Sequence, residues 1–237
     1  WQRWNDYGIG MLLKGKAELK QAAAAFRKVE ELGRYDGPLN LARVLLAEGG
    51  DGQLDEAVTA VQRAAEHTDP PAPPWTLAWL SGELNLQQLF LKEAEENFRQ
   101  VLEYRTADTV RRGFDFSRDY VVNNRLGKVL FDLAMQERDP KSEQRQRKLQ
   151  EVIAVFKRTL KEDSENVDAH SNLAQLYSLI GDPDRAADHQ RLHAKYKPDD
   201  TARGQAVGVA RKKYPAANAA AEPLVIYELK PPEDDDD

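Results

Sequence analysis

Cysteine is missing from all 237 residues, which excludes structural disulfides, thiolate-ligated zinc and a C-x-x-C-H haem attachment within the chain. Aromatic residues make up only 8%, too few for the strand-rich cores that β-branched and aromatic side chains build. No run of about 18 apolar residues capable of crossing a bilayer as a helix occurs. Nor does a charged, apolar, small-residue leader open the chain. Basic excess is lacking too. The formal charge of -6 leaves no broad cationic surface to displace counterions from a nucleic acid backbone. Methionine does not stand at position 1; Trp1 does, and patterned sequence begins at once, so the chain is expected to be a processed product or, the favoured reading, a segment of a longer protein.

What is present is rich in Ala, Leu, Glu, Lys, Arg and Gln, the strong helix formers, and it repeats. In Val167 to Asp200, Leu173, Ala174 and Tyr177 fall at helical spacing. Gly181 and Asp182 make a turn, Ala186 sits in a second helix, and Pro198 closes the unit. A small residue recurs at the same place in five units: Gly8, Ala42, Gly82, Gly127 and Ala174. Two helices that cross closely need a small residue at the crossing, with large apolar residues around it and a proline to stop the pair. Trp4, Tyr7 and Met11 surround the first such position, with Ala22, Phe26 and Val29 on the partner helix. Leu41, Leu45, Ala57, Val61 and Ala64 serve the second, across the turn Gly49 to Gly52. Trp75, Trp79, Ala94, Phe98 and Val101 serve the third, after the proline run 69–74. Leu126, Leu130, Val152, Phe156 and Leu160 serve the fourth, whose turn is expected to be long and charged, Arg138 to Gln146. Trp4, Trp75 and Trp79 are expected to pack in the core.

This pattern resembles the tetratricopeptide-repeat (TPR) superfamily over residues 1–200. The expected fold is an all-α TPR solenoid of about five helix-turn-helix repeats, at 1–35, 36–70, 71–105, 117–164 and 167–200. A capping helix follows at 201–214, and an extended and acidic tail at 215–237. Within that tail Leu224 to Leu229 reads as a short extended segment able to add a strand to a neighbour, and Glu233 to Asp237 as a solvated acidic end. More narrowly, Arg3 to Gly15, Ser117 to Phe131 and Arg211 to Leu229 resemble the TPR region of bacterial proteins associated with multihaem c-type cytochromes. That resemblance implies an exported protein, periplasmic or extracellular, that docks or accompanies a multihaem cytochrome in an electron-transfer assembly. Haem c would then belong to a partner or an upstream domain, with no cofactor in this chain. The other readings are a general peptide-binding adaptor and a structural subunit of an extracellular filament.

The first helix of each repeat lines the concave face in this superfamily. Asn5, Arg43, Trp79, Glu83, Asn124, Lys128, Asn172 and Gln175 are therefore the expected partner-binding residues, suited to an extended peptide's backbone and carboxylates. The superfamily's clamp for a chaperone tail needs Lys and Asn where the first unit has Asn5 and Ile9, and is not expected. Arg111, Arg112, Phe114, Phe116 and Arg118 form a candidate interface loop in the stretch 105–120. His170, His189 and His193 come near one another across two helices, yet packing of His170 in the repeat's usual aromatic position explains it without a metal. With neither a nucleophile–base pair nor a phosphate-binding glycine loop, no catalytic residue is assigned and the chain reads as a non-enzyme.

Overall fold

The structure, a computed structural model, describes residues 1–198 and 200–214. It is all-α, with no β-strand among the described residues. The extended segment Leu224 to Leu229 and the acidic end Glu233 to Asp237 lie outside the described residues. Two compact units divide the chain: Trp1–Leu80 with Asp200–Asp237, and Ser81–Asp199.

The first unit contains α1 (Gln2–Lys14), α2 (Leu19–Glu31), α3 (Asp36–Glu48) and α4 (Asp51–Ala65), each packed on the next. The division between units falls inside α5 (Pro74–Gln87). The ring of Phe26, fully buried, lies directly over Gly8; a Cβ there would come within 2.7 Å of it. Bare glycine is what lets α1 and α2 approach so closely, because contacts under about 3 Å are forbidden to a methyl group. Ala22, Leu41, Ala42, Ala57 and Ala60 complete a core in which small residues set the helix spacing. Between α3 and α4, Gly49 and Gly50 both take positive φ, 72° and 98°, a turn that side chains resist. Trp4, Trp75 and Trp79 are half-buried rather than in the core. The phenylalanines of the second helices already fill the glycine crossings, and Trp4 instead meets Tyr7 edge-on at 6.3 Å.

In the second unit α6 (Leu91–Glu103), α7 (Ala107–Arg111), α8 (Tyr120–Gln136), α9 (Glu143–Glu162), α10 (Val167–Leu179) and α11 (Pro183–Tyr196) follow in order. The glycine-under-phenylalanine crossing appears twice more: a Cβ on Gly82 would lie 2.7 Å from Phe98, and one on Gly127 2.6 Å from Phe156. The charged turn expected over Arg138 to Gln146 is shorter than its composition suggests, because α9 starts at Glu143. Charge does not oppose a helix when it is paired along the axis: Arg147 donates to Glu143 one turn away at 2.8 Å. Beyond this unit α12 (Asp200–Lys213) occupies the stretch expected as a capping helix.

The stretch 105–120 is not a plain loop. Thr106 and Thr109 cap α7 reciprocally: the Thr106 hydroxyl accepts from the Thr109 amide at 3.2 Å, and the Thr109 hydroxyl accepts from the Thr106 amide at 2.9 Å. A 3-10 turn at Phe116–Arg118 then leads into α8, whose first amides, Val121 and Val122, donate to the Asp119 carboxylate. Fully buried Asn123 ties the turn to that helix by donating to the carbonyls of Ser117 at 3.1 Å and Asp119 at 2.8 Å.

Candidate partner-binding faces

The first helix of each pair carries the eight residues expected to bind a partner, and the structure separates them by what they already touch. In the first unit Asn5 accepts from the Asn40 side chain of α3 at 2.8 Å, so the two amides form a rung between neighbouring first helices. Arg43, one turn along α3 from Asn40, makes no hydrogen bond or ion pair among the described residues. Its side chain remains accessible, while desolvation of the guanidinium pulls its pKa below the ordinary arginine value. Trp79 is half-buried and engaged with neighbours.

In the second unit the expected residues are largely engaged. Glu83 accepts from Arg125 of α8 at 2.7 Å, and Lys128 donates to Asp132 one turn along its own helix at 3.1 Å. Asn124 donates to Asn166 at 3.1 Å; Asn166 in turn caps α10 by accepting from the Ala169 amide. Asn172 donates to the Asp168 carbonyl of its own helix at 2.8 Å. Gln175 differs, because it lines an open groove of about 610 Å³ between α10 and α11 with Ser171, Ala174, Ser178, Leu179, Gln190 and His193. Three of the other units place Phe26, Phe98 and Phe156 over a glycine at the helix crossing, whereas here Ala174 and Gln190 share the wall of the groove.

The arginine-rich segment is also partly self-satisfied. Arg111 and Arg112 both pair with Asp108, at 2.5 and 3.6 Å, and Arg118 donates to Glu162 at 2.8 Å. Phe116 stacks on Phe114 at 6.4 Å and meets Tyr104 edge-on at 5.8 Å, leaving Phe114 53% exposed with Arg112 above its ring at 5.1 Å. The Asp115 carboxyl is held below its ordinary value by the Ser117 hydroxyl that donates to it. Trp1, unplaced by its sequence, stacks against the Arg34 guanidinium at 4.5 Å. Among the described residues no group of three or more His, Asp or Glu side chains is arranged to hold a metal ion.

Antiparallel helix pairs, each joined by a tight turn and crossing at a small residue, define the tetratricopeptide-repeat fold. Residues 144–208 match the tetratricopeptide-repeat family. Solved structures agree over most of the chain. The crystal structure of MamA is 12% identical and superposes with a TM-score of 0.58, covering 79% of this chain and 92% of that one. YrrB, described as a TPR protein with an unusual peptide-binding site, is 17% identical with a TM-score of 0.54, covering 77% of this chain and 80% of its own. A thermophilic TPR protein of Thermus thermophilus, TTC0263, is 20% identical with a TM-score of 0.50 and coverages of 79% and 89%. No curated protein matches the sequence. At these identities the likeness is one of fold.

Proposed function

We propose that this chain is a protein-interaction scaffold that holds an extended segment of a partner protein against the first-helix face of its first unit. The carrying observation is Arg43. An accessible guanidinium left without a carboxylate, beside an amide rung from Asn5 and Asn40, offers donors to a peptide backbone and an acidic side chain. In the second unit Glu83, Asn124, Lys128 and Asn172 already have partners of their own, Gln175 being the exception. The peptide-binding site in the description of YrrB, a protein of the same fold, supports a peptide as the kind of ligand.

The resemblance of Arg3 to Gly15, Ser117 to Phe131 and Arg211 to Leu229 to cytochrome-associated repeat regions favours a multihaem c-type cytochrome as the partner, in an exported electron-transfer assembly. Haem would sit in that partner, and the scaffold would contribute position rather than chemistry. Purifying the native protein with whatever accompanies it, then recording a visible spectrum, tests the assignment. A Soret band that sharpens with α and β bands on reduction is the expected result. A colourless preparation removes the cytochrome and leaves a peptide adaptor. Replacing Arg43 by alanine is expected to weaken capture of the co-purifying partner about tenfold, the cost of one charge-assisted hydrogen-bonded pair. Unchanged capture would place the binding surface elsewhere.

A further inference from the structure

Two imidazoles meet between α10 and α11. His170 is 3% exposed, with Nε2 3.1 Å from the Ser164 carbonyl oxygen and Nδ1 2.9 Å from Nδ1 of His189. A carbonyl oxygen only accepts, so His170 carries its proton on Nε2 and donates it there. Its Nδ1 is then a lone pair, and the proton between the rings belongs to His189. Aromatic faces hold both rings in this alignment: His189 stacks on Tyr177 at 5.5 Å and His170 on Tyr196 at 5.7 Å.

We propose that the His170–His189 pair is an acid-sensitive latch, closing α10 onto α11 at neutral pH and loosening this helix pair selectively in mild acid. The neutral pair has one place for each proton. A first added proton goes to Nε2 of His189, creating a cation on a partly buried ring. Nδ1 of His170 is the lone pair that accepts from His189, so the bond between the rings leaves no room for a further proton there.

The surrounding groups oppose charging. Lys157 of α9 repels a cation on His189, as does His170 of α10, and Asp188 of α11 is the carboxylate that favours it. Tyr177 and Tyr196 present ring faces, and Arg185 adds a fixed positive charge 4.4 Å above the Tyr177 ring. His193, on the same helix, has Nδ1 3.1 Å from the Val167 carbonyl. Burial foremost, then His170, hold His189 below its ordinary value. The sign follows. An unfolded histidine takes its proton near pH ~6.5, whereas the folded one waits until lower pH. Between those limits the unfolded chain binds more protons, so stability is complete above about 6.5 and declines as pH falls. The groove lined by Ser171, Gln175, Gln190 and His193 is built from the same two helices, so the latch also sets the pH range over which that groove exists.

Hydrogen exchange on the full 237-residue chain at pH 7.5 and 5.5, corrected for intrinsic rates, tests the latch. Amides of α10 and α11 are expected to lose protection by up to about tenfold in opening constant per pH unit for each proton taken up, while those of α1 to α4 keep theirs. His189→Gln retains an N–H donor toward His170 without titrating and is expected to abolish the extra acid response; His170→Phe removes the bond between the rings but leaves the buried His189 to titrate, and is expected to reduce that response without abolishing it. With only four histidines, long-range 1H–15N correlation spectra of the unaltered protein read the latch directly. They are expected to show His170 protonated on Nε2 and His189 titrating below its ordinary value. Equal acid response in both helix groups, an undiminished response in His189→Gln, or His189 titrating at or above its ordinary value would each overturn the proposal. If the variants do not fold, the titration of the unaltered protein decides alone.

Discussion

A single methyl group is the natural probe of the glycine crossings. Gly127→Ala places a Cβ 2.6 Å from the ring of Phe156, which is fully buried in a core that also holds Val152 and Leu126. Overpacking of this kind costs about 1–3 kcal/mol, and the gain in helix propensity of up to about 1 kcal/mol offsets only part of it. A net loss of about 1–2 kcal/mol is therefore expected, read as a lowered urea midpoint. Gly52→Ala supplies the contrast: its Cβ meets nothing within 4 Å, so propensity acts alone and the midpoint should rise by the equivalent of about 0.5 kcal/mol. If both changes moved the midpoint the same way, close helix approach would not be what the crossing glycines provide. These positions were legible in the sequence because the constraint is local: one small residue, a fixed spacing, and a large ring on the next helix. Arg43 was legible as a position but not as an unpaired group, since freedom from partners depends on which acids the neighbouring helices present.

Elements begin where their first amides find acceptors, and α8 illustrates how two different side chains do this. The Asp119 carboxylate accepts from Val121 at 2.9 Å and Val122 at 3.1 Å at an exposed end, a cap worth about 1 kcal/mol. Asn123, 0% exposed, instead donates to two carbonyls of the preceding turn, and alanine there removes both bonds from a fully buried position. Each such bond contributes about 0.5–1.5 kcal/mol, so the pair outweighs one exposed cap. Asn123→Ala is thus expected to lower stability more than Asp119→Ala, by thermal denaturation at neutral pH; the reverse order would mean that the turn is solvated rather than fastened. None of this was visible in the sequence, where 105–120 read as an arginine-rich loop. Its reciprocal cap is Thr-x-x-Thr rather than the usual Ser or Thr followed by Glu, and Asn123 sits mid-pattern in a helix without any local sign of its role. The long charged turn expected before α9 is present but ends at Ser142 rather than Gln146, because Glu143 and Arg147 satisfy each other along the helix.

At the scale of the whole molecule the two units carry different reporters. All four tryptophans, Trp1, Trp4, Trp75 and Trp79, fall in residues 1–80, whereas the His170–His189 pair belongs to Ser81–Asp199. Helix pairs in repeat folds stabilise chiefly their immediate neighbours, so weakening one pair lowers the stability of that region before it reaches the other. Tryptophan fluorescence should accordingly be blind to the acid response that circular dichroism sees. In urea at pH 5.5 the loss of helicity is expected to begin at lower denaturant than the fluorescence change, with the early loss bounded by α10 and α11, 13 and 14 residues long. At pH 7.5, where His189 is neutral and the bond between the rings is intact, the separation should narrow. The pairing across 19 residues that drives this difference is set by how α11 folds back on α10, which sequence spacing brings near but does not orient. Two transitions that coincide at both values of pH would show that acid acts on the molecule as one cooperative body, and the latch would have no separate helix pair to release.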